Sequence, residues 1–245
     1  MLHKSPRTPP FLLVHGAFSG GWLWDRVRPL LQDVGHEVFT PTLTGLGDRA
    51  DSSSPDIGLS THVADVVRLI EAEDLQDVVL VLYSYAGMLA PGVAAAAADR
   101  LERLVFLDAF VPDEGDRCFD LMPLEAADSI RRQAEAEGEG WRFPPFPMDA
   151  LGVLAEENVR WIGQRLVEQP LKTYEEPVQG TSGEWKRLPR TYIACTESAF
   201  VGVLEPFAQM ARTQPGWSCV ELASGHSPMI SAPDALVRVL TEATR

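Results

Sequence analysis

Short apolar segments alternate with helical patterns along most of this chain, and the alternation is the feature that most constrains its fold. The apolar segments lie at residues 10–15, 37–41, 77–83, 103–107, 191–195 and 218–222, and most of them are continuous runs of Val, Leu, Ile and Phe rather than alternating patterns. Such runs are typical of strands buried on both faces of a parallel sheet. Helical patterns occupy residues 24–34, 61–73, 85–98, 205–213 and 233–244. The sequence therefore predicts an α/β fold, a doubly wound, mostly parallel sheet with right-handed crossovers.

The alternation is interrupted between residues 112 and 187, which we call the cap segment. Helical patterns at 123–137 and 148–168 flank an aromatic and proline-rich stretch at 141–148. An insertion between two strands can cover the carboxyl edge of an open sheet, where ligands bind. We predict a helical cap at 112–187 and a core domain at 1–111 and 188–245. The cap aromatics either line a pocket or form a small core of the cap, and one cap can do both.

Composition excludes several classes of function. The chain has 245 residues and a formal net charge of −14, which argues against binding to nucleic acid or to anionic membranes. Its three cysteines are widely spaced and predict neither a disulfide framework nor a metal site. The first residues contain no apolar signal region, and no apolar run approaches the ~20 residues of a membrane span. We expect a cytoplasmic, soluble protein without metal or organic cofactor, and a homodimer is compatible with the sequence.

Three motifs at strand ends carry residues suited to nucleophilic catalysis. Ser84 stands at a strand-to-helix turn, which lifts a serine hydroxyl clear of the sheet. A glycine-rich turn follows the first strand, and we assign the N–H groups of Ala17 and Tyr85 as an oxyanion hole. His226 follows the last strand in a loop, where a histidine is well placed to act as a general base. An acid placed between Ser84 and His226 in the chain would complete the order nucleophile, acid and histidine that is expected of a hydrolase on such a sheet.

Together these motifs resemble the α/β-hydrolase superfamily, and most closely its branch of plant methyl esterases, hydroxynitrile lyases and related bacterial esterases. The residues that carry the resemblance are Val14-His15-Gly16-Ala17 with Gly21-Trp22, Gly45-Leu46-Gly47-Asp48-Arg49, Ser84-Tyr85-Ala86-Gly87, Arg190-Thr191-Tyr192-Ile193-Ala194-Cys195-Thr196-Glu197 and Gly225-His226. The resemblance covers about residues 10–110 and 188–245. It implies an α/β-hydrolase fold and a catalytic triad that contains Ser84 and His226.

The chain departs from the pattern of these relatives before the nucleophile, at the acid and after the histidine. Many relatives have Gly-His before the nucleophile, where this chain has Leu82 and Tyr83. The plant branch has its acid one residue beyond the Cys-Thr-Glu run, where this chain has Ser198. Two carboxylates remain as candidates for the acid. We favour Asp108, directly after the strand at 103–107, over Glu197, which precedes the position used by the relatives.

We predict a serine esterase that cleaves a small, largely apolar ester or lactone, with Ser84 as nucleophile, His226 as base and Asp108 as acid. One alternative is a cofactor-free lyase of the hydroxynitrile-lyase type, although the lysine that follows the histidine in those lyases is replaced by Ser227. The other is a non-catalytic ligand-binding homologue. The candidate substrate-binding residues are Phe18, Leu82, Tyr83, Trp141, Phe143, Phe146, Met148 and Trp161.

Overall fold

Six parallel strands form the central sheet of the protein, seen in a computed structural model that describes residues 8–179 and 183–243. The described chain has eight strands in all, six in this sheet and two in a separate ribbon. They are β1 (Phe11–Val14), β2 (Val38–Phe39), β3 (Val78–Tyr83), β4 (Leu101–Leu107), β5 (Arg142–Phe143), β6 (Gln169–Pro170), β7 (Arg190–Cys195) and β8 (Trp217–Leu222). The sheet has the order β2-β1-β3-β4-β7-β8, and β5 pairs with β6 in a separate antiparallel ribbon. Each of the six strands of the main sheet overlaps one of the six predicted strands.

Helices cover both faces of the sheet. They are α1 (Arg28–Asp33), α2 (Leu59–Ala72), α3 (Ala90–Ala97), α4 (Leu124–Glu137), α5 (Glu156–Gly163), α6 (Lys172–Glu175), α7 (Val201–Thr213), α8 (Pro228–Ser231) and α9 (Pro233–Glu242). Short 3₁₀ helices occupy Gly21–Trp24, Gly47–Ser52, Ser84–Leu89, Ala98–Arg100, Cys118–Leu121 and Glu184–Arg187. Buried residues of α2, α3 and α7 share one apolar cluster, and those of α1, α8 and α9 share the other. This arrangement confirms the predicted doubly wound α/β fold.

Alternate residues of the central strands contribute to the two clusters. On β3, Leu80 and Leu82 belong to the cluster of α2, whereas Val79 and Val81 belong to the cluster of α1. All six residues of β3 are buried. Because successive side chains of a strand point to opposite faces, a strand covered on both sides must be apolar at every position. This is the physical origin of the continuous apolar runs in the sequence.

Three predicted helices are shorter in the structure. The α-helical parts of the patterns at 24–34 and 85–98 begin only at α1 and α3, each of which carries a proline at its first or second position. Proline has no N–H to donate and is favoured in the first turn of a helix, although α7 also contains Pro206 in its interior. The pattern at 148–168 yields only α5. Gly152 has a left-handed φ of 71°, which interrupts helical geometry near the start of the pattern. Residue 244, the predicted end of the last helix, lies outside the described residues.

The cap segment lies between β4 and β7. Its described part holds α4, α5, α6 and the β5–β6 ribbon, and it adds no strand to the main sheet. Since the six strands are parallel, the segments that follow β1, β3, β4, β7 and β8 all leave from one edge of the sheet. Among the described helices, none has both the length and the apolar character needed to cross a membrane.

Candidate active site

Ser84 occupies the turn between β3 and the helix that follows it. Tyr83 still has an extended backbone, whereas Ser84 has a φ of 55°, in the left-handed region that non-glycine residues seldom adopt. The turn is packed tightly, because a Cβ added at Gly87 would overlap the carbonyl oxygen of Phe110. Glycine is therefore required one helical turn after the serine, and the fold holds Ser84 at the carboxyl edge of the sheet.

Three side chains from different strand ends form one hydrogen-bonded chain. The Nε2 atom of His226 lies 3.0 Å from the hydroxyl oxygen of Ser84. The Nδ1 atom of His226 lies 2.7 Å from Oδ2 of Asp108. His226 and Asp108 are both 3% exposed, so this contact is shielded from water. With Nδ1–H donated to Asp108, Nε2 is the nitrogen left to accept the serine proton.

Asp108 is fixed by the neighbouring strand. Its Oδ1 atom accepts a hydrogen bond of 3.3 Å from the backbone N–H of Cys195, at the end of β7. Burial raises the pKa of the Cys195 thiol, and the nearby Asp108 raises it further, so this cysteine stays a neutral core residue. Glu197, the other candidate acid, is exposed and borders a different surface depression. The structure thus places Asp108, and not Glu197, against the imidazole ring.

Two aromatic rings flank His226. The Tyr83 ring lies 4.9 Å from the imidazole, centroid to centroid, and the Phe200 ring lies 4.6 Å from it. The Tyr83 hydroxyl is 3.1 Å from the hydroxyl of Ser227, the residue after the histidine. Burial raises the pKa of Tyr83, which keeps the phenol neutral. The tyrosine that replaces the relatives' histidine therefore ties the strand before Ser84 to the His226 loop.

The loop after β1 approaches the serine from the other side. A Cβ added at Gly16 would lie 3.0 Å from Cβ of Ser84, a tight contact that a larger residue could make only if its neighbours moved. Within the described residues the Ala17 N–H makes no hydrogen bond, and Ala17 borders the same cavity as Ser84. Tyr85 is the second residue of its helix, where an N–H has no intrahelical acceptor. One of these backbone donors thus follows Ser84 directly in the chain, and the other lies in the loop after β1 that borders the same cavity.

Two buried histidines hold this region in place. Nε2 of His15 accepts the Leu43 N–H at 3.0 Å, while Nδ1 lies 2.7 Å from the Gly16 carbonyl oxygen. His62 bridges the Thr44 carbonyl oxygen at 2.9 Å and the Tyr85 hydroxyl at 3.0 Å. Burial lowers the pKa of both imidazoles to about 4, so both are neutral near pH 7. Their role is to fix loops rather than to transfer protons.

A cavity of about 260 Å³ opens next to Ser84 and His226. Its wall is mostly apolar, and His226 is the one histidine among lining residues that include no aspartate, glutamate, lysine or arginine. The residues that line it are Ala17, Phe18, Tyr83, Ser84, Phe110, Met122, Ala126, Ser129, Ile130, Gln133, Phe146, Leu151, Tyr174, Phe200, Val203, Leu204 and His226. Three of the predicted binding residues, Phe18, Tyr83 and Phe146, are among them.

The other five predicted binding residues lie outside the lining of this cavity. Leu82 is fully buried in the cluster of α2 and α3, because it faces the side of the sheet opposite to Tyr83. Phe143 forms a second layer behind Phe18, with ring centroids 5.3 Å apart. The Arg142 guanidinium stacks on the Trp141 ring, Met148 packs in the cluster of α1 and α9, and Trp161 packs on Trp22. The positions of these residues in the sequence did not reveal whether their side chains point toward the cavity.

Sequence reasoning missed most of the cavity wall. One face of α4 supplies Ala126, Ser129, Ile130 and Gln133, which follow a helical spacing that the sequence did contain. Phe110 and Phe200 follow β4 and β7, and their proximity to strand ends was an available signal. Among the described residues, no group of histidine, cysteine or acidic side chains is arranged to hold a metal ion.

Comparison with known proteins shows what the chain is similar to. The profile of the family described as "Alpha/beta hydrolase family" matches residues 11–239. A carbendazim hydrolyzing esterase from Nocardioides sp. (strain SG-4G) is 37% identical over 94% of this chain and 97% of its own length. Methylesterase 1 of Arabidopsis thaliana is 32% identical over 46% of this chain and 43% of its own length. An extracellular alpha/beta-hydrolase from a Paenibacillus species has a similar structure, with a TM-score of 0.82, 21% identity and coverage of 96% of this chain and 99% of its own.

Proposed function

Because this chain belongs to the α/β-hydrolase family, we propose that it is a serine esterase that cleaves a small, largely apolar ester or lactone through an acyl-enzyme on Ser84. The observation that carries the proposal is the chain of contacts from Ser84 through His226 to Asp108, at 3.0 and 2.7 Å. A nucleophile, a base and a group that orients the base are the parts of a serine hydrolase. The esterase names of the two relatives in sequence support the same reaction class.

The reaction begins when the Ser84 oxygen attacks the ester carbonyl carbon while His226 Nε2 takes its proton. Asp108 holds the imidazole in the required tautomer and stabilises its charged form. The N–H groups of Ala17 and Tyr85 donate to the oxyanion of the tetrahedral intermediate. The carbon–oxygen bond to the leaving alcohol then breaks, and His226 returns the proton to that alcohol. Water, deprotonated by His226, attacks the acyl carbonyl and releases the acid and free Ser84.

The cavity favours a neutral and compact substrate. No aspartate, glutamate, lysine or arginine is among its lining residues, so a charged acyl or alcohol group finds no counter-ion there. Its volume of about 260 Å³ suits a molecule smaller than most drugs. Phe18, Phe146 and Phe200 offer ring surfaces against an apolar group. These features support short-chain and aromatic esters as first substrates.

Replacement of Ser84 by alanine tests the proposal. We expect the folded wild-type protein to react covalently with a fluorophosphonate probe and to hydrolyse p-nitrophenyl butyrate. S84A loses labelling, and its turnover falls by about a thousandfold or more, because the attacking oxygen is gone. Ser218 is exposed on β8, away from the cavity, so S218A serves as the matched control and retains both properties. Mass spectrometry of the labelled peptide identifies the modified residue.

The contrary outcomes distinguish the alternatives. Labelling of a serine other than Ser84, or equal turnover by S84A and wild type, overturns the role of Ser84. No labelling in folded protein supports a non-catalytic binding protein. Release of an aldehyde and cyanide from a cyanohydrin, with no acid formed from any ester, supports a lyase on the same scaffold.

A further inference from the structure

The cap segment holds the loop after β1 through the backbone of Phe18. The Phe18 N–H donates to Oε1 of Gln169 at 3.0 Å. The Phe18 carbonyl oxygen accepts the Val167 N–H at 2.9 Å. Both backbone polar groups of Phe18 are therefore bonded to residues of the cap segment that lie about 150 positions further along the chain.

The orientation of the Gln169 amide is determined by a second buried residue. Its Nε2 atom donates to the Thr173 hydroxyl at 2.8 Å, and that hydroxyl donates to the Pro170 carbonyl oxygen at 2.6 Å. Because the threonine proton is used by Pro170, the hydroxyl can only accept from Gln169. The amide therefore turns its NH₂ toward Thr173 and its oxygen toward Phe18. Gln169 and Thr173 are both fully buried, so water does not compete for these bonds.

Phe18 needs such support because its backbone is in an unfavourable conformation. Its φ is 64°, in the left-handed region that a bulky residue avoids. Phe18 directly follows Ala17, and the Phe18 N–H belongs to the peptide that joins the two residues. The bond from this N–H to Gln169 therefore fixes the backbone next to the Ala17 N–H. A donor of an oxyanion hole must be held at hydrogen-bond distance from the place where the negative oxygen forms. The bonds from the cap segment supply that restraint.

We propose that Gln169 is a positioning residue that holds the Ala17 N–H in the oxyanion hole, an inference that rests on the proposed esterase function. Gln169 is not among the residues that line the cavity. Its effect passes through the Phe18 backbone, so the cap segment contributes to transition-state stabilisation as well as to the cavity wall.

The test compares an oxoester with the matching thionoester in Q169M. Methionine has a similar size, but its thioether sulfur is only a weak acceptor for the Phe18 N–H. Sulfur accepts hydrogen bonds weakly and is larger than oxygen, so a thionoester gains little from the oxyanion hole. We expect kcat on the oxoester to fall by about ten- to a hundredfold with KM changed by less than about threefold. The thionoester rate falls much less, so the oxoester to thionoester ratio of kcat drops by about tenfold.

Two further variants separate positioning from folding. Q169E keeps a carboxyl oxygen that can accept from Phe18, and we expect it to retain a higher oxoester to thionoester ratio than Q169M. T173V removes the partner that orients the amide, and we expect a smaller fall in the same ratio. Gln164 is exposed in the same cap segment, so Q164M is the matched control and keeps the wild-type ratio. Circular dichroism and thermal melting are recorded for each variant, and Q169E and T173V decide the outcome should Q169M unfold.

The outcomes separate this inference from the proposed function. Equal losses on both esters, or an unchanged ratio in Q169M, Q169E and T173V, overturn the positioning role while esterase activity stands. S84A is included on the same substrates. If S84A hydrolyses the oxoester as fast as wild type does, the proposed function fails and the role of Gln169 fails with it.

Discussion

At the scale of single residues, three non-glycine residues with left-handed backbones mark the site. Phe18, Ser84 and Asp108 have φ values of 64°, 55° and 42°, and each follows a different strand at the carboxyl edge of the sheet. Such conformations cost of the order of 1–3 kcal/mol each and persist only where surrounding contacts enforce them. Here those contacts are the Gln169 bond, the tight turn at Gly87 and the Cys195 N–H. These strained backbones lie where the Ser84 and Asp108 side chains contact His226 and next to the Ala17 N–H that we propose for the oxyanion hole.

The choice of acid is also decided at this scale. We expect D108N to lower kcat by about a thousandfold or more, because an amide cannot stabilise the imidazolium and favours the wrong tautomer. Glu197 is the matched control, since it is exposed and does not contact His226. E197Q is expected to keep kcat within about twofold. Steady-state kinetics on p-nitrophenyl butyrate measures both, and the opposite ranking of the two variants would reject Asp108 as the acid.

At the scale of elements, the cap segment is anchored on the core by a cluster around α5. Trp161 packs edge-on against Trp22 at 5.3 Å between centroids. The Arg26 guanidinium lies 5.5 Å from the Trp161 ring and donates to Asn158 Oδ1 at 2.7 Å and to the Ile230 carbonyl oxygen at 2.8 Å. These contacts join α5 to the segment after β1 and to α8. Trp161, predicted as a pocket residue, therefore lies outside the cavity lining and packs the cap segment against the core through Trp22 and Arg26.

Removal of this anchor should be visible in stability. We expect W161A to lower the free energy of unfolding by about 2 kcal/mol, because it deletes a half-buried ring and its contacts with Trp22 and Arg26. Trp141 is the matched control in the same segment, since the ring contact seen for it in the described part of the chain is with its neighbour Arg142, at 4.9 Å. W141A is expected to cost about 1 kcal/mol or less. Urea denaturation followed by circular dichroism measures the difference, and equal losses in the two variants would contradict the anchor.

At the scale of the whole molecule, the buried histidines link folding to pH. His15 and His62 have a pKa of about 4 in the folded protein, because burial disfavours the charged imidazole, against an ordinary value of 6.5. Above pH 6.5 both imidazoles are neutral in the folded and the unfolded chain, so a change of pH there does not alter the free energy of unfolding through them. As the pH falls from 6.5 to 4, only the unfolded chain takes up these protons. The folded state therefore loses stability across this window.

We expect the free energy of unfolding to fall by up to about 3 kcal/mol for each of the two histidines between pH 6.5 and 4. Urea denaturation at pH 7.5, 6.5, 5.5 and 4.5 measures the slope. In H62Q one of the two buried imidazoles is absent, so the variant is less stable at pH 7.5 but has a shallower slope below pH 6.5. A slope identical to that of wild type would show that His62 does not take up a proton on unfolding.

The fold was predictable because its signals are local. A strand that is buried on both faces, such as β3, must be apolar throughout, and each of the six predicted strands overlaps a strand of one sheet. Strand ends were equally readable, so the sequence could place Ser84, Asp108 and His226 at one edge of the sheet. Helix limits were less predictable where prolines or a left-handed glycine interrupted an otherwise helical pattern.

By itself, then, the sequence determined the layers of the fold and the residues that meet at its carboxyl edge. Only the tertiary structure decided which carboxylate faces His226 and which aromatic rings face the cavity. It also revealed that Gln169 bonds to Phe18 across about 150 positions of the chain. The physical reason is that burial and the two-residue period of a strand determine the apolar pattern of each segment on its own, so that pattern can be read from the sequence. The direction of a side chain in a loop, and the partner of a buried polar group, depend instead on segments that meet only when the chain is folded.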